Sequence, residues 1–421
     1  MNYKKYNISI IGLGYVGLPL AIEFGKKYNT TGFDVNIDRV KNLKNGNDIT
    51  GEVSKRELMS SIKVKFTSNP NNIKQSNIYI IAVPTPIDKN NVPDLSILLS
   101  ASEIVGKVLS KGDIVIYEST VYPGCTEEDC VPILVKHSKL RYNIDFFCGY
   151  SPERISPGDK KRTLTKIQKI TSGSNPEVGT IVDDLYKSII KAGTYKAENI
   201  KIAEAAKIIE NCQRDINIAF VNELSILFNK MDIDTNKVLE AAATKWNFLP
   251  FKPGLVGGHC IGVDPFYLTY KAEKIGYKSK IILSGRKLNN SMPNEVCQRI
   301  LDSFPNINKK NKPKGLVLGV TFKENCPDIR NSKVFDIYNI LCKNFDLDAY
   351  DPYASKNEVK NNHDISLINF NQISLNSYDF IIISVAHTEF INLNIEDYCR
   401  NQQTIVFDLK NIYANDKYLS L

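Results

Sequence analysis

Along roughly the first 190 positions, short apolar runs alternate with stretches of helical or loop character. ISIIGLG, TTGFD, IYIIAVP and DIVIYEST carry β-branched and aromatic residues on both faces, the pattern of strands buried in a parallel sheet. Strand followed by helix, repeated, predicts a doubly wound α/β domain. The texture then changes. Between Gly193 and Pro250 there is no glycine or proline, and AEAAKIIENCQRDINIAFVNELSILFNKM is apolar at three- and four-residue spacing. Ala205, Ile209, Cys212, Ile216 and Leu227 form one stripe. A helix from Glu198 to Asn229 would be about 45 Å long at 1.5 Å per residue, enough to span two domains or to pair with its copy in a second subunit. A Lys/Asn/Pro linker, 305-PNINKKNKPK-314, leads into KGLVLGV, LDAYD, YDFIIISVA and TIVFDLK, read as strands of a second parallel sheet. The expected domains are 1–195, 196–304 and 305–421, with the middle one helical.

Composition adds limits. A chain of 421 residues exceeds one ordinary core. Its 43% hydrophobic and 24% charged content describes a soluble globular protein. The net charge of +8 is spread along the chain and fits anionic small molecules better than nucleic acid, since no basic block with interleaved aromatics occurs. MNYKK followed by the uncharged Ile8–Ile22 imitates a signal peptide but lacks an A-x-A-type cleavage site. No other apolar run reaches the ~18 residues of a membrane span. A cytoplasmic protein is expected. Nine irregularly spaced cysteines fit reduced thiols. Without C-x-x-C, and with histidines scattered at 137, 259, 363 and 387, no metal site is expected.

Gly12, Gly14 and Gly17 form G-x-G-x-x-G directly after a strand and at the opening of a helix. Gly12 permits the turn, Gly14 lets backbone approach a pyrophosphate, and Gly17 lets helix and strand pack closely. The next strand, TTGFD, ends in Asp34, placed to accept from both ribose hydroxyls and to repel a 2′-phosphate. This favours NAD over NADP.

The other chemical stretch is 257-GGHCIGVDP-265. His259 and Cys260 are adjacent, so in an extended segment their side chains point apart, a poor arrangement for a Cys/His nucleophile pair. A buried, inert Cys260 is the plain alternative. Gly257, Gly258 and Gly262 nevertheless describe a loop that closes on a ligand. Beside a NAD domain a thiolate has a use: capture of an aldehyde as a thiohemiacetal, then oxidation to a thioester, which water releases as carboxylate. Such chemistry needs a cation, oxyanion donors and a carboxylate. Lys207 and Asn211, i and i+4 on a helix face away from the apolar stripe, are candidates, though such pairs are commonly solvated.

Taken together, IGLGYVGLPLA, AVPTPID, YESTVYPG, SPER, AEAAKIIEN, FLPFKPGLVGGHCIGVDP and GVTFKENCPDIRNS resemble, in order and across nearly the whole length, the UDP-glucose/GDP-mannose dehydrogenase family. The resemblance implies two Rossmann-like doubly wound parallel-sheet domains joined by a long central helix and a helical middle domain. It further implies oxidation of a nucleotide sugar to a uronate with two NAD and no metal. Cys260 matches the nucleophile, Lys207 and Asn211 the oxyanion pair, Asp264 the carboxylate working with a water, Glu153 the glutamate of thioester hydrolysis, and Thr120 the threonine holding water and nicotinamide. Tyr15, Val16, Arg39, Val83, Pro84, Thr85 and Ser119 match cofactor-side positions. Arg154, Phe251, Lys252, Gly257, Arg286, Phe322, Lys323 and Arg330 match substrate-side ones, and Arg286 is also a candidate contact near the interface of the dimer that the family builds on the long helix. Asp264, preceding Pro265, also reads as a helix cap.

Within the family, the UDP-glucose branch tends to place lysine where this chain has Val263, and the UDP-N-acetylmannosamine branch proline where it has Gly262. CIGVDP with SPERISPGD resembles the branch acting on UDP-N-acetylglucosamine, or its galacto epimer, in bacterial capsule or O-antigen synthesis. Alternatives are UDP-N-acetylmannosamine or UDP-glucose as substrate, a two-electron dehydrogenase of the hydroxyacid kind, which would not need Cys260, and a catalytically silent binding protein.

Overall fold

The computed structural model describes residues 6–154, 162–258, 260–305, 307 and 312–421. His259, the residues 155–161 that follow SPER, and residues 306 and 308–311 of the linker lie outside the described residues. The chain partitions into two compact units, Met1–Glu210 with Phe266–Tyr277, and Asn211–Pro265 with Lys278–Leu421.

The first unit is built on β1 (Asn7–Ile11), β2 (Asn29–Phe33), β3 (Val64–Thr67), β4 (Ile78–Ile81), β5 (Ile114–Tyr117), β6 (Phe147–Tyr150), β7 (Lys169–Gly173) and β8 (Thr194–Lys196). They form one sheet in the order β3-β2-β1-β4-β5-β6-β7-β8, parallel except between β6 and β7. β4 and β5 are buried at every position, as the unbroken apolar runs IYII and IVIY require in a sheet covered on both faces. The order reverses between β1 and β4, which opens a crevice at their carboxyl ends.

The second unit contains a four-stranded parallel sheet of β9 (Lys314–Leu318), β10 (Asp346–Tyr350), β11 (Phe380–Ile383) and β12 (Ile405–Asp408), ordered β10-β9-β11-β12. Its switch point lies between β9 and β11, again at carboxyl ends. The architecture is therefore α/β, with two Rossmann-like parallel sheets and a helical middle region.

The long helix runs Ile200–Asn229, close to the expected limits. Its buried face is not the stripe that spacing suggested. Ile209 and Leu227 are exposed, as are Ile202 and Phe220, whereas Glu204, Lys207, Asn211, Asp215, Asn222 and Ser225 are buried. Polar residues can occupy that face because they are hydrogen-bonded. In the second unit Asp215 pairs with Arg286 (2.5 Å) and accepts from Asn289 (2.7 Å), and Asn289 accepts from Asn222 (2.8 Å). Asn222 also exchanges two bonds with the backbone of Gly254 (3.0 and 2.8 Å), fixing the FKPG loop to the helix.

Candidate active site

In the first unit the glycine turn is built for close approach. Gly12 sits at φ +93°, and a Cβ there would lie 2.8 Å from the Ala82 carbonyl oxygen. A Cβ on Gly17 would lie 1.8 Å from the Gly12 carbonyl oxygen, while one on Gly14 would meet nothing within 4 Å. Thus Gly12 and Gly17 are glycine for packing, and Gly14 leaves bare backbone at the helix start, flanked by the half-buried Tyr15 and Val16. Asp34 follows β2 and accepts from the Leu13 and Asn36 amides (2.9 Å each), which aims its carboxylate beside the turn. Val35 and Ile37 next to it are exposed and offer an apolar surface to a base. These features fit a dinucleotide. Arg39 is buried: its Nε donates to the Leu13 carbonyl (2.8 Å) and its guanidinium pairs with Asp48 (2.8 Å), so it braces the turn from behind.

Beyond β4 and β5 the expected nicotinamide-side residues are tied together. Ser119 Oγ donates to the Val83 carbonyl (2.6 Å), and Thr85 Oγ1 to the Thr120 carbonyl (2.7 Å). Tyr267, which the sequence reading missed, donates to the carbonyls of Thr85 (2.9 Å) and Pro86 (3.2 Å) and holds the loop containing Pro84. Glu204, also missed, accepts from the amides of Gly124 (2.5 Å) and Thr126 (2.9 Å). Burial pushes its carboxyl up to about 7, against those two hydrogen bonds. It thereby ties the loop after Thr120 to the long helix one turn before the buried Lys207. Glu153 accepts from the Arg154 amide, and the Arg154 guanidinium pairs with Glu210.

In the second unit three of the expected residues meet. Asn211 donates to the Asp264 carboxylate and accepts from Arg214. The Cys260 carbonyl accepts from the amides of Val263 (3.1 Å) and Asp264 (2.9 Å), where the helix Asp264–Lys274 begins. Asp264 is buried, and of the nine cysteines only Cys260 is exposed; Cys342 is half-buried and the rest are buried. The preceding loop rests on the segment after β9: Asn331 donates to the Gly258 carbonyl (3.2 Å), and a Cβ on Gly258 would lie 2.9 Å from the Phe322 ring.

A small crevice of about 40 Å³ opens at the switch point of the second sheet, lined by Gly257, Phe322, Lys323, Glu324, Ser384 and Lys410 among others. Lys410, two residues past β12, was not anticipated. The 321–325 turn is held by buried His387, whose Nδ1 accepts from the Asn325 amide (3.0 Å) and whose Nε2 meets Asp351 (3.1 Å). Phe251 is half-buried and Lys252 exposed. Arg330 is exposed with its guanidinium on Asp328 (2.9 Å from Nε), and Arg286 is buried on Asp215. Among the described residues no three His, Cys, Asp or Glu side chains are grouped to hold a metal, and no helix is long and apolar enough to cross a membrane.

Compared with known proteins, the chain matches one family in three consecutive stretches. Residues 6–190, 201–291 and 316–415 match the NAD-binding, central and UDP-binding domains of the UDP-glucose/GDP-mannose dehydrogenase family. The chain is 52% identical to UDP-N-acetyl-D-glucosamine 6-dehydrogenase of Pseudomonas aeruginosa, covering 98% of this chain and 99% of that one. It is 54% identical to the Salmonella typhi protein of the same name, covering 97% and 96%. A UDP-D-ManNAc dehydrogenase structure from Pyrococcus horikoshii superposes with a TM-score of 0.88 at 29% identity, covering 98% of each chain.

Proposed function

The chain belongs to the UDP-glucose/GDP-mannose dehydrogenase family of NAD-dependent nucleotide-sugar dehydrogenases, and we propose that it oxidises C6 of UDP-N-acetylglucosamine, or of its galacto epimer, to the carboxylate. The observation that carries the reading is the exposed thiol of Cys260 at the start of a helix whose first carboxylate, Asp264, is held by Asn211. Gly12, Gly14, Gly17 and Asp34 hold NAD, with Val83, Thr85, Ser119 and Thr120 on its nicotinamide side. When bound, NAD supplies the acceptor for a hydride from C6, twice per substrate.

Asp264, through a water, takes the proton of the C6 hydroxyl, and Lys207 stabilises the alkoxide. The Cys260 thiolate then adds to the aldehyde carbon, and Lys207 with Asn211 carries the negative charge on its oxygen. After the second oxidation the acyl group is held as a thioester. Glu153 draws a proton from water for attack on that carbonyl, with Thr120 positioning the water. Lys323, Lys410, Lys252 and Arg330 supply positive charge for the diphosphate, with Phe251, Gly257 and Phe322 beside the nucleotide. Arg154, on the SPER turn, orients substrate through the same segment as Glu153.

A homodimer on the long helix is part of this proposal. Ile202, Ile209, Phe220 and Leu227 are exposed at spacings of seven and eleven residues, which keeps them on one helix face. We further propose a metal-free cytoplasmic enzyme serving bacterial surface-polysaccharide synthesis. The test is the end-point NADH yield on UDP-N-acetylglucosamine, its galacto and manno epimers and UDP-glucose, with Cys260→Ser alongside. Two NADH per N-acetylgluco or N-acetylgalacto substrate, lost in the variant, is expected. One NADH per turnover, indifferent to Cys260, would make this a two-electron dehydrogenase, and preference for the manno epimer or glucose would move the substrate.

A further inference from the structure

The first residue of β7 is a lysine almost fully withdrawn from solvent. Lys169 is 3% exposed and its Nζ has a partner for each of its three N–H bonds: Glu118 Oε2 at 2.7 Å, the Pro152 carbonyl at 3.0 Å and Glu153 Oε2 at 3.4 Å. It also lies 5.2 Å from the centre of the Tyr186 ring. Glu118 is buried too and accepts from the Tyr186 hydroxyl with its other oxygen. One buried cation thus faces two carboxylates. Stability alone is a weak reason to keep such a group, since a buried ion pair gains little over well-packed apolar side chains. Its partners are informative. They come from the end of β5, two residues before Thr120, and from the turn carrying Glu153, the segments of one half-reaction.

We propose that Lys169 is the positioning residue for Glu153, holding its carboxylate in place for hydrolysis of the acyl group on Cys260 and leaving the two oxidations to other residues. The inference rests on the reading of Glu153 given above. In the step concerned, a water oxygen bonds to the acyl carbon and a water proton passes to Glu153. The carbon–sulfur bond breaks with its electron pair returning to Cys260 Sγ, and the second water proton ends on the thiol as the product leaves as carboxylate. Nothing is oxidised. For this Glu153 must be ionised and aimed. Burial pushes Glu118 up to about 7, Lys169 pulls it back, and the charge of Glu153 pushes it up further. Without the lysine the two carboxylates would face each other across the space its charge now fills, and Glu153 would lose this charge contact together with the tether on the Pro152 carbonyl.

The experiment is rapid mixing of the full-length enzyme with NAD and UDP-N-acetylglucosamine, combined with intact mass of acid-quenched protein. Lys169→Met is expected to keep a burst of two NADH per site, to fall roughly 100-fold in steady-state rate, the scale of a mispositioned general base, and to accumulate acyl adduct on Cys260. Lys169→Arg should recover most of the rate. Lys169→Met with Glu118→Gln, which removes the stranded buried charge and protects folding, should still accumulate adduct. Loss of burst amplitude in proportion to rate, with no adduct in either methionine variant, would overturn the proposal in favour of a purely structural lysine. Glu153→Gln separates the two failures. If it accumulates adduct and the lysine variants do not, the Lys169 inference alone falls. If Glu153→Gln accumulates none, the reading of Glu153 falls and takes the inference with it.

Discussion

Glu204→Gln exchanges one oxygen for an amide nitrogen at a site with no solvent exposure. Two influences compete there. Removal from water disfavours the carboxylate, and the Gly124 and Thr126 amides favour it; burial wins, and the group titrates near 7 in place of its ordinary 4.5. A carboxyl raised on folding binds its proton more tightly in the native state. Its contribution is therefore fully present below pH 4.5 and is lost as the pH rises through 7. At about 1.36 kcal/mol per pKa unit the loss amounts to about 3 kcal/mol. Glutamine does not titrate, so the stability advantage of wild type over Glu204→Gln should shrink by that amount between pH 5 and 8. With a urea m-value of ~3 kcal/mol/M, the difference between their midpoints should move by roughly 1 M. Hydrogen exchange of β4 and β5 peptides across a urea series, at several pH values, isolates the unit concerned. A constant difference would refute the reasoning. One that grows with pH would mean that the two amides outweigh burial and that Glu204 is an ordinary ionised helix cap.

Other consequences are open to direct measurement. Asp34→Asn should raise KM for NAD roughly 10-fold, the scale of losing a charge-assisted hydrogen bond, and narrow the preference over NADP while sparing kcat; initial-rate kinetics with both cofactors checks this. Arg286→Ala leaves Asp215 buried beside Asn289 without its cation, and should cost about 3–5 kcal/mol in the second unit. Adding Asp215→Asn should recover part of the lost melting temperature, which an empty cavity alone would not allow.

What could be read along the chain was local. Gly12, Gly14, Gly17 and Asp34 sit within one strand-turn-helix-strand segment, so spacing alone predicted their geometry. The long helix was legible from the missing glycine and proline, yet its buried face was misjudged. Apolar periodicity assumes that apolar residues are inside, while Asp215, Asn222 and Asn289 form a closed polar network that supplies its own partners. Lys169, Tyr267 and Lys410 left no local signal. Their partners come from distant parts of the chain, as in Lys169 with Glu118 or Tyr267 with Thr85, and one sequence carries no trace of such pairings. Asn211 and Asp264 lie 53 positions apart, and the resemblance to a family, more than any periodicity, connected them.

The distribution of sulfur has a practical side. With seven cysteines buried, Cys342 half-covered and Cys260 open, an alkylating reagent at one equivalent has a single preferred target. Iodoacetamide should therefore count functional molecules in a preparation without any engineered tag, its uptake matching lost turnover one for one. The same openness makes this thiol the first casualty of air during storage, and makes a mild electrophile on a nucleotide-sugar scaffold the natural starting point for a covalent inhibitor.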